Sequence, residues 1–328
     1  MSRISVIVLN WNGERLLGVC LEALLRQTHG NYEVILVDNG SKDSSVRLAR
    51  ENFPEVRLVQ LDENKGFTGG NTAGLRVATG EYIALVNNDT RADPGWLENL
   101  AQPMRDDSKV GICASRLLIE GDGRIYSVGD GVTTAGVGFN RGHRQPASFY
   151  LEPEGVFSAC AGAVLYRRKM LNDIGFFDED FFIYDEDTDL SFRARLAAWK
   201  CVYVPGAIIY HVGSATTVRL SDFHVYHHTR NLEFVWIKNM PTSLMLRFAH
   251  HKLIQEFGSF GYLCLRHMKW RAFFRAKRDA LKMVPMMLEK RKRIQARRRV
   301  SNHHIRRLLT SYFSAAMIRQ KIVQFLKG

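Results

Sequence analysis

Over the first hundred residues, strand-like runs of aliphatic and β-branched residues alternate with helix-like segments, and short polar breaks separate them. "ISVIVL" (4–9), "YEVILV" (32–37), "VRLVQL" (56–61) and "YIALV" (82–86) predict strands, while 14–27, 43–52 and 69–79 predict helices. Such alternation is the signature of βαβ units on a largely parallel sheet. Ser and Asp in "NGSKDSS" (39–45) offer helix caps, and Asp93 with Pro94 behind it predicts a helix start within 93–107. From 110 to 158 the pattern loosens into Gly-rich short segments that predict hairpins or a mobile loop rather than another regular layer. Order returns with a strand predicted at 162–167, a helix at 187–199, and a short strand or hairpin pair around 201–210.

Every early strand ends in a polar cluster: "NWNG", "DNGS", "DENKGFTGGN" and "NNDT", in that order. In an open parallel sheet, ligands bind beyond the carboxyl ends of the strands. One such cluster is an ordinary capped turn. Four in succession predict a shared cleft.

Composition narrows the class. A chain of 328 residues with 46% hydrophobic content can bury a substantial core. Its net charge of +13 is unevenly spread: residues 1–221 carry 23 Lys+Arg against 28 Asp+Glu, whereas 222–328 carry 23 against 5. That asymmetry points to a basic appendage with an anionic partner, either membrane lipid or nucleic acid. Five cysteines without a CxxC pair predict neither a disulfide framework nor a zinc knuckle and fit a reducing compartment. The apolar stretch in "MSRISVIVLNWNG" is too short to span a bilayer and has no small-residue cleavage site behind it. No run of about 18 apolar residues occurs, which argues against an integral membrane protein.

Three places can carry chemistry. Asp89 in "LVNNDT" ends a strand, where the sheet fixes a carboxylate facing the cleft, so it is either a ligand for Mg²⁺ or Mn²⁺, a substrate clamp, or a cap of the following helix. "IYDEDTDL" (183–190) sets four carboxylates in five positions at a helix start, where the helix dipole favours acids. Helical spacing puts Asp185 and Asp189 on one face with Glu186 and Asp187 pointing elsewhere; if one acid is a general base, the others orient it or raise its pKa. His211 in "YHVGSAT" reads as structural unless it lies beside Asp89, where an imidazole completes a metal site.

"SVIVLNWNG", "VDNGS", "ENKGFTGGNTAG", "LVNNDT", "DEDTDLSFRARLAAWK" and "HVGS", in this order over residues 3–239, resemble the family-2 glycosyltransferases of GT-A fold, and most closely bacterial rhamnosyltransferases of cell-wall and O-antigen synthesis. The resemblance implies an α/β, Rossmann-like mixed sheet flanked by helices. It implies a nucleotide-sugar half at about 1–109 and an acceptor half at about 110–221, with a helical basic extension over 222–328. Leu9, Asn10 and Asn12 then line the nucleotide pocket, Asp38 accepts from the pyrimidine N3–H, and Asn64, Gly66 and Asn71 close the wall. Asn87 and Asp89 take the outer positions of the family's DxD metal motif, with Asn88 between them among the nucleotide-sugar contacts. Asn87 stands where the pattern has an acid and gives an uncharged oxygen donor. Asp187 aligns with the catalytic base, Glu186 with its partner, and His211 with a histidine that joins the metal or diphosphate.

The reaction implied by this resemblance is an inverting, Mg²⁺- or Mn²⁺-dependent hexosyl transfer. The implied donor is dTDP-L-rhamnose, or alternatively UDP-galactofuranose or UDP-GlcNAc; the acceptor is a polyprenyl-linked saccharide or polysaccharide that contacts 158–167 and 121–142. From another class, the alternative is a nonenzymatic membrane or nucleic-acid binder retaining a nucleotide fold. In the tail, Trp270, Phe273, Phe274, Leu281, Val284, Met287 and Leu288 recur near helical spacing among Lys and Arg, Pro285 predicts a kink or split, and "EKRKRIQARRR" (289–299) concentrates seven positive charges. This describes a helix in the headgroup plane of an anionic membrane, hence a cytoplasmic protein peripheral on the inner face. The stripe can equally pack on the catalytic domain, above all over 232–263. No nucleic-acid-binding motif accompanies the charge.

Overall fold

A computed structural model describes residues 2–211 and 220–314 together with Met317. Val212 to Ser214 of the "HVGS" motif and the end of the basic tail lie outside the described residues. The four early strands form as β1 (Ile4–Asn10), β2 (Tyr32–Asp38), β3 (Arg57–Gln60) and β4 (Tyr82–Asn87), joined by helices α1 (Glu14–Leu25), α2 (Ser45–Asn52) and α3 (Gly66–Val77). They pair in parallel in the order β4–β1–β2–β3. Side chains alternate between two cores, as a sheet covered on both faces requires: Ile4, Val6 and Val8 of β1 enter one, Ile7 the other. Register sets Asn10 opposite Asp38 and Leu9 opposite Asn87, so the polar ends of three adjacent strands emerge at one level.

Beyond β4 the structure departs from expectation in instructive ways. The predicted helix start at Asp93 and Pro94 is displaced, because residues 90–92 extend as β5 (Thr90–Ala92) and Asp93 Oδ1 accepts from the Gly95 amide at 3.3 Å in a turn; α4 then runs Trp96–Asp106. Residues 110–119, expected to be loose, form the long buried strand β6 (Val110–Ile119) inside the sheet. Gly111, Ser115 and Arg116 mask its apolar character, yet Arg116 is buried and donates to the Ala147 carbonyl. The short strands expected after it appear as β7 (Ile125–Val128), β8 (Asp130–Val132), β9 (Gly138–Asn140) and β10 (Glu154–Gly155).

β11 (Ala163–Arg167) runs antiparallel between β4 and β6, and α5 (Arg168–Ile174) follows it. After α6 (Glu186–Leu196), the segment expected as a short strand or hairpin is one long strand, β12 (Lys200–His211), parallel to β6. Pro205 and Gly206 do not end it; they sit where its register slips between Tyr203 and Ile208, the place a strand tolerates proline. The mixed sheet reads β10–β12–β6–β11–β4–β1–β2–β3.

The basic region forms α7 (Asp222–Asn239), α8 (Thr242–Phe260), a π-helical turn (Gly261–Arg266), α9 (Trp270–Ala296) and α10 (Asn302–Leu308). Pro285 lies within α9 without splitting it. No described helix is long and apolar enough to cross a membrane. A third core joins Val132, Phe157 and Phe192 to Phe234, Ala280 and Met287, so apolar packing is continuous across residue 221. Much of the run 289–299 grips the body of the protein: Lys290 pairs with Asp178 at 2.6 Å, Arg291 donates to the Met240 carbonyl, and Arg299 pairs with Asp173 at 2.7 Å.

One buried charge cluster ties α6 to α7. Asp189 points into the interior, where its carboxylate meets Lys238 at 2.9 Å, Arg193 at 2.8 Å and the Asn239 amide at 2.8 Å. Those cations hold it far below the usual carboxylate range despite its burial. Removing one member of a buried ion pair leaves uncompensated charge. Asp189→Ala is therefore expected to lower stability by about 3–5 kcal/mol in urea denaturation; a loss below about 1 kcal/mol would mean that the cluster does not hold these helices together.

Candidate active site

The pairing of β5 with the end of β12 sets Thr90 opposite His211. Asp89, one residue earlier, is thereby carried to the imidazole, and Asp89 Oδ1 lies 3.3 Å from His211 Nε2 with both residues buried. Among the described residues neither Asp89 Oδ1 nor His211 Nδ1 has a hydrogen-bond partner. Buried polar atoms are rarely left so, because desolvation without a partner costs free energy. An anionic oxygen beside an imidazole nitrogen is a donor set suited to Mn²⁺ and also to Mg²⁺, so these residues fit the divalent cation that the resemblance implies. Asn87 stands half-buried two residues away, its backbone amide donating to the Gly162 carbonyl at 3.0 Å.

The polar ends of β1 and β2 build an adjoining wall. Asn10 is buried, donating to Asp38 Oδ1 at 3.2 Å and Ser45 Oγ at 2.9 Å while accepting from the Asn88 amide at 2.8 Å. Asn10 and Asn88 thus hold one another and fix Asp38. Asn12 adopts a left-handed backbone (φ 51°) and accepts from the Lys42 amide at 2.8 Å. Asn39, which the sequence did not single out, donates to Asn64 Oδ1 at 2.9 Å and to the Gly66 carbonyl at 3.1 Å. Gly66 opens α3 at φ 72°, and a Cβ there would collide with Phe182. Leu9 lies against Gly70, and Asn71 is buried, its amide turned to the Phe67 carbonyl at 2.9 Å.

Asp187 reaches the same end of the sheet by a different route. β11 runs antiparallel to β4, so residues 160–162 sit beside Asn87, and Asp187 Oδ2 accepts from the Ala161 amide at 3.2 Å. Burial pushes the Asp187 carboxyl up to about 6; the Ala161 amide restrains the rise and Asp185 adds to it. Glu186, buried beside it, is raised well above the usual range by burial and by Asp187. Tyr126 links the two halves: its ring packs on His211 at 4.5 Å, and its phenol is pushed up by burial and by the surrounding Cys160, Asp130, Asp89 and Asp187.

Two features were not legible in the sequence. Asp130, at the start of β8, is buried with Ser127 donating to it at 2.6 Å, and it sets one donor atom within 4.8 Å of Cys160 and Asp187. Flanked by glycines in "VGDGV", it reads as a turn residue. The loop before α6 is strained, with Phe182, Tyr184 and Asp185 all at positive φ. Asn231 of α7 holds that loop by donating to the carbonyls of Phe181, Ile183 and Tyr184, and His228 meets Asp185 Oδ2 at 2.8 Å.

Known proteins resemble this chain in sequence and in fold. The model for "Glycosyl transferase family 2" matches residues 5–175. The putative glycosyltransferase EpsH of Bacillus subtilis is 28% identical over 61% of this chain and 58% of its own length. The N-acetylglucosaminyl-diphospho-decaprenol L-rhamnosyltransferase of Mycobacterium tuberculosis is 27% identical over 64% of this chain and 76% of its own. Against some relatives the match is shorter, covering 33% of the uncharacterized glycosyltransferase YibD of Escherichia coli. Among solved structures, S. aureus TarS 1-349 superposes with a TM-score of 0.55 at 19% identity, over 93% of this chain and 91% of that one. A mannosyltransferase, PcManGT from Pyrobaculum calidifontis in complex with GDP-Man and Mn²⁺, gives 0.54 at 16% identity, over 99% and 86%. These likenesses show a GT-A fold.

Asp130 yields a pH-dependent expectation. Burial and the neighbouring Asp187 push its carboxyl up to about 8, against the pull of Ser127 and Arg141. The unfolded chain ionises this group near 3.8, so stability is lost as pH rises from there to about 8. Asp130→Asn, which mimics the protonated acid, should gain stability over the parent at pH 8 and little near pH 4 in urea denaturation; an equal effect at both would contradict a buried protonated carboxyl.

Proposed function

The chain belongs to glycosyl transferase family 2 and is a glycosyltransferase; from that premise we propose that it transfers a hexosyl group with inversion, Asp187 acting as the base. The observation that carries this is the convergence of Asp38, Asp89, His211 and Asp187 from four separate segments onto one end of the sheet. Membership sets aside the nonenzymatic alternative. Asp38 and the loop 64–71 supply the base and ribose side of the donor pocket, with Asn10, Asn39 and Asn88 keeping that wall in place.

This role is supported by the state of Asp187: half-buried, with a carboxyl raised to about 6, it is ionised at neutral pH yet basic enough to accept a hydroxyl proton. The acceptor oxygen forms its bond to the anomeric carbon while the bond to the nucleoside diphosphate breaks, its electron pair leaving with the diphosphate and the proton passing to Asp187. No enzyme nucleophile intervenes, so configuration inverts. Asp89 and His211, with Asn87 nearby, would hold a Mg²⁺ or Mn²⁺ ion, which when bound would supply positive charge against the anion of the leaving group. Glu186, held well above the usual carboxylate range by its own burial and by Asp187, is the acid that neighbours this base. Asp130 and Cys160 border the space where the acceptor hydroxyl enters.

The favoured donor is dTDP-L-rhamnose, on the strength of the mycobacterial L-rhamnosyltransferase; the name of that relative also gives a diphospho-decaprenol acceptor, which favours a lipid-linked saccharide here. UDP-galactofuranose and UDP-GlcNAc are the competing donors. Working on a lipid-linked acceptor, the protein sits on the inner face of the cell membrane.

Two outcomes are expected. Asp187→Asn lowers kcat by about 10²–10⁴-fold with the donor Kd little changed, and the parent enzyme's kcat/KM falls below pH 6 as the base is protonated; near-normal turnover in this variant removes Asp187 from the role. In a thermal-shift screen, dTDP- or UDP-sugars raise the melting temperature more with Mn²⁺ than without it, and Asp89→Ala abolishes that difference. A metal response unchanged in Asp89→Ala would assign the cation elsewhere.

A further inference from the structure

The densest basic run, 289–299, is not the surface most open to a membrane, because Lys290, Arg291 and Arg299 are engaged with the rest of the protein. The exposed apolar side chains lie earlier. Leu246, Phe257, Leu265, Met268 and Leu281 are each 70–77% exposed, and Trp270 and Phe274 are about half exposed. On α8, Leu246, Leu253 and Phe257 fall seven and four residues apart, which stacks them on one outer face, while Leu244, Phe248 and Gln255 face inward. On α9, Trp270, Phe274 and Leu281 share the outer face, and Phe273 and Met287, expected with them, turn into the core. Phe260 packs against both Phe273 and Phe274, at 6.0 and 6.1 Å, so the end of α8, the π turn and the start of α9 form one corner.

Single exposed apolar residues are ordinary, but large ones gathered at one corner and rimmed by charge mark an interaction surface. The rim has one sign. Residues 242–288 hold nine Lys and Arg against two acids, and both acids are occupied, Glu256 by Lys252 and Lys277 and Asp279 by Arg278 and Tyr226. Arg271, Arg275, Arg278 and Lys282, at helical spacing, run beside the exposed stripe of α9.

We propose that the α8–α9 corner is a wedge that inserts into the headgroup layer of an anionic bilayer, with Phe257, Leu265, Met268, Trp270 and Phe274 entering the acyl boundary and the α9 basic row contacting anionic headgroups. Apolar depth with a cationic rim fits a lipid interface and is wasted on nucleic acid. The corner also leads to the cleft. Lys269 pairs with Asp222 at 2.8 Å at the start of α7, the next residue, Phe223, packs on Phe182 at 6.3 Å, and His228, farther along α7, meets Asp185, two residues before Asp187. A bilayer touching this corner lies beside the mouth of the site, where a lipid-linked acceptor presents its sugar; that consequence rests on the acceptor class proposed above.

The test is sedimentation of the full chain with vesicles of neutral lipid alone and of neutral lipid with one quarter phosphatidylglycerol. Binding to the anionic vesicles is expected, weakened by salt. The double variant Phe257→Glu with Leu265→Glu, at exposed positions, should bind at least tenfold more weakly. Arg271→Gln with Arg278→Gln and Lys282→Gln should reduce the anionic preference on the order of a hundredfold. Circular dichroism and soluble donor hydrolysis on the same preparations confirm that the variants are folded. Unchanged vesicle binding by the double variant overturns the proposal, as does a parent dimer in sedimentation velocity that only the double variant dissociates, since a second copy then covers the corner. Vesicle binding without donor hydrolysis by the parent would overturn the enzymatic reading and leave the wedge standing.

Discussion

Asp89, Asp130, Glu186 and Asp187 are gathered, buried or half-buried, at one end of a sheet, and the rest of the structure accommodates the cost of desolvating them. Burial disfavours the ionised carboxylates, and a neighbouring acid adds to it, Asp187 for Asp130 and Asp185 for Asp187, which is why Asp130 and Asp187 are held at about 8 and 6. A carboxyl near 6 is ionised at neutral pH and still a competent base. The fold creates this crowding through backbone pairing: β5 against β12 fixes Asp89 beside His211, and β11 between β4 and β6 places the Ala161 amide under Asp187. Repulsion is contained by fixed dipoles on one side and, in the proposed mechanism, by a bound cation on the other.

Holding such a site requires a rigid frame, and α7 provides much of it. Lys238 and Asn239 anchor Asp189 below the site, while Asn231 satisfies three carbonyls of a loop whose residues at positive φ are disfavoured by local sterics. The loop turns so sharply that Asp185 reaches His228 while Asp187, at the start of α6, faces the opposite way toward Ala161. A residue change on α7 therefore bears on how Asp187, the proposed base, is held. The basic region is in this sense packed into the same body as the proposed site.

The first hundred residues were legible because β1, most of β2 and β4 are buried on both faces and read as apolar runs, punctuated by the Asn, Asp and Gly that line the cleft. β6 was illegible because Gly111, Ser115 and Arg116 interrupt its run, and the polar pair is buried only with partners from outside the strand, Trp96 for Ser115 and Ala147 for Arg116. Asp130 was missed for a related reason: only the tertiary structure distinguishes a turn aspartate from one sealed beside another acid. In the tail, periodicity identified an apolar stripe on α9 but not which members face inward, since Phe273 and Phe274 are adjacent in sequence and only one is buried. Charge density misled in the same way, as the densest basic run is largely paired internally.

These elements together describe a glycosyltransferase whose cleft is assembled by strand pairing, aimed by α7 and flanked by an exposed cationic and apolar corner. The decisive experiment is a crystal structure of the chain with an unreactive nucleotide-sugar and Mn²⁺, the ion located by its anomalous signal. The expected result is the ion at Asp89 and His211, the pyrimidine at Asp38, and the Asp187 carboxylate facing the anomeric carbon from the side opposite the diphosphate. An ion seated instead among Asp130, Cys160 and Asp187, or an Asp187 carboxylate directed away from the sugar, would contradict the proposed assignment of metal and base.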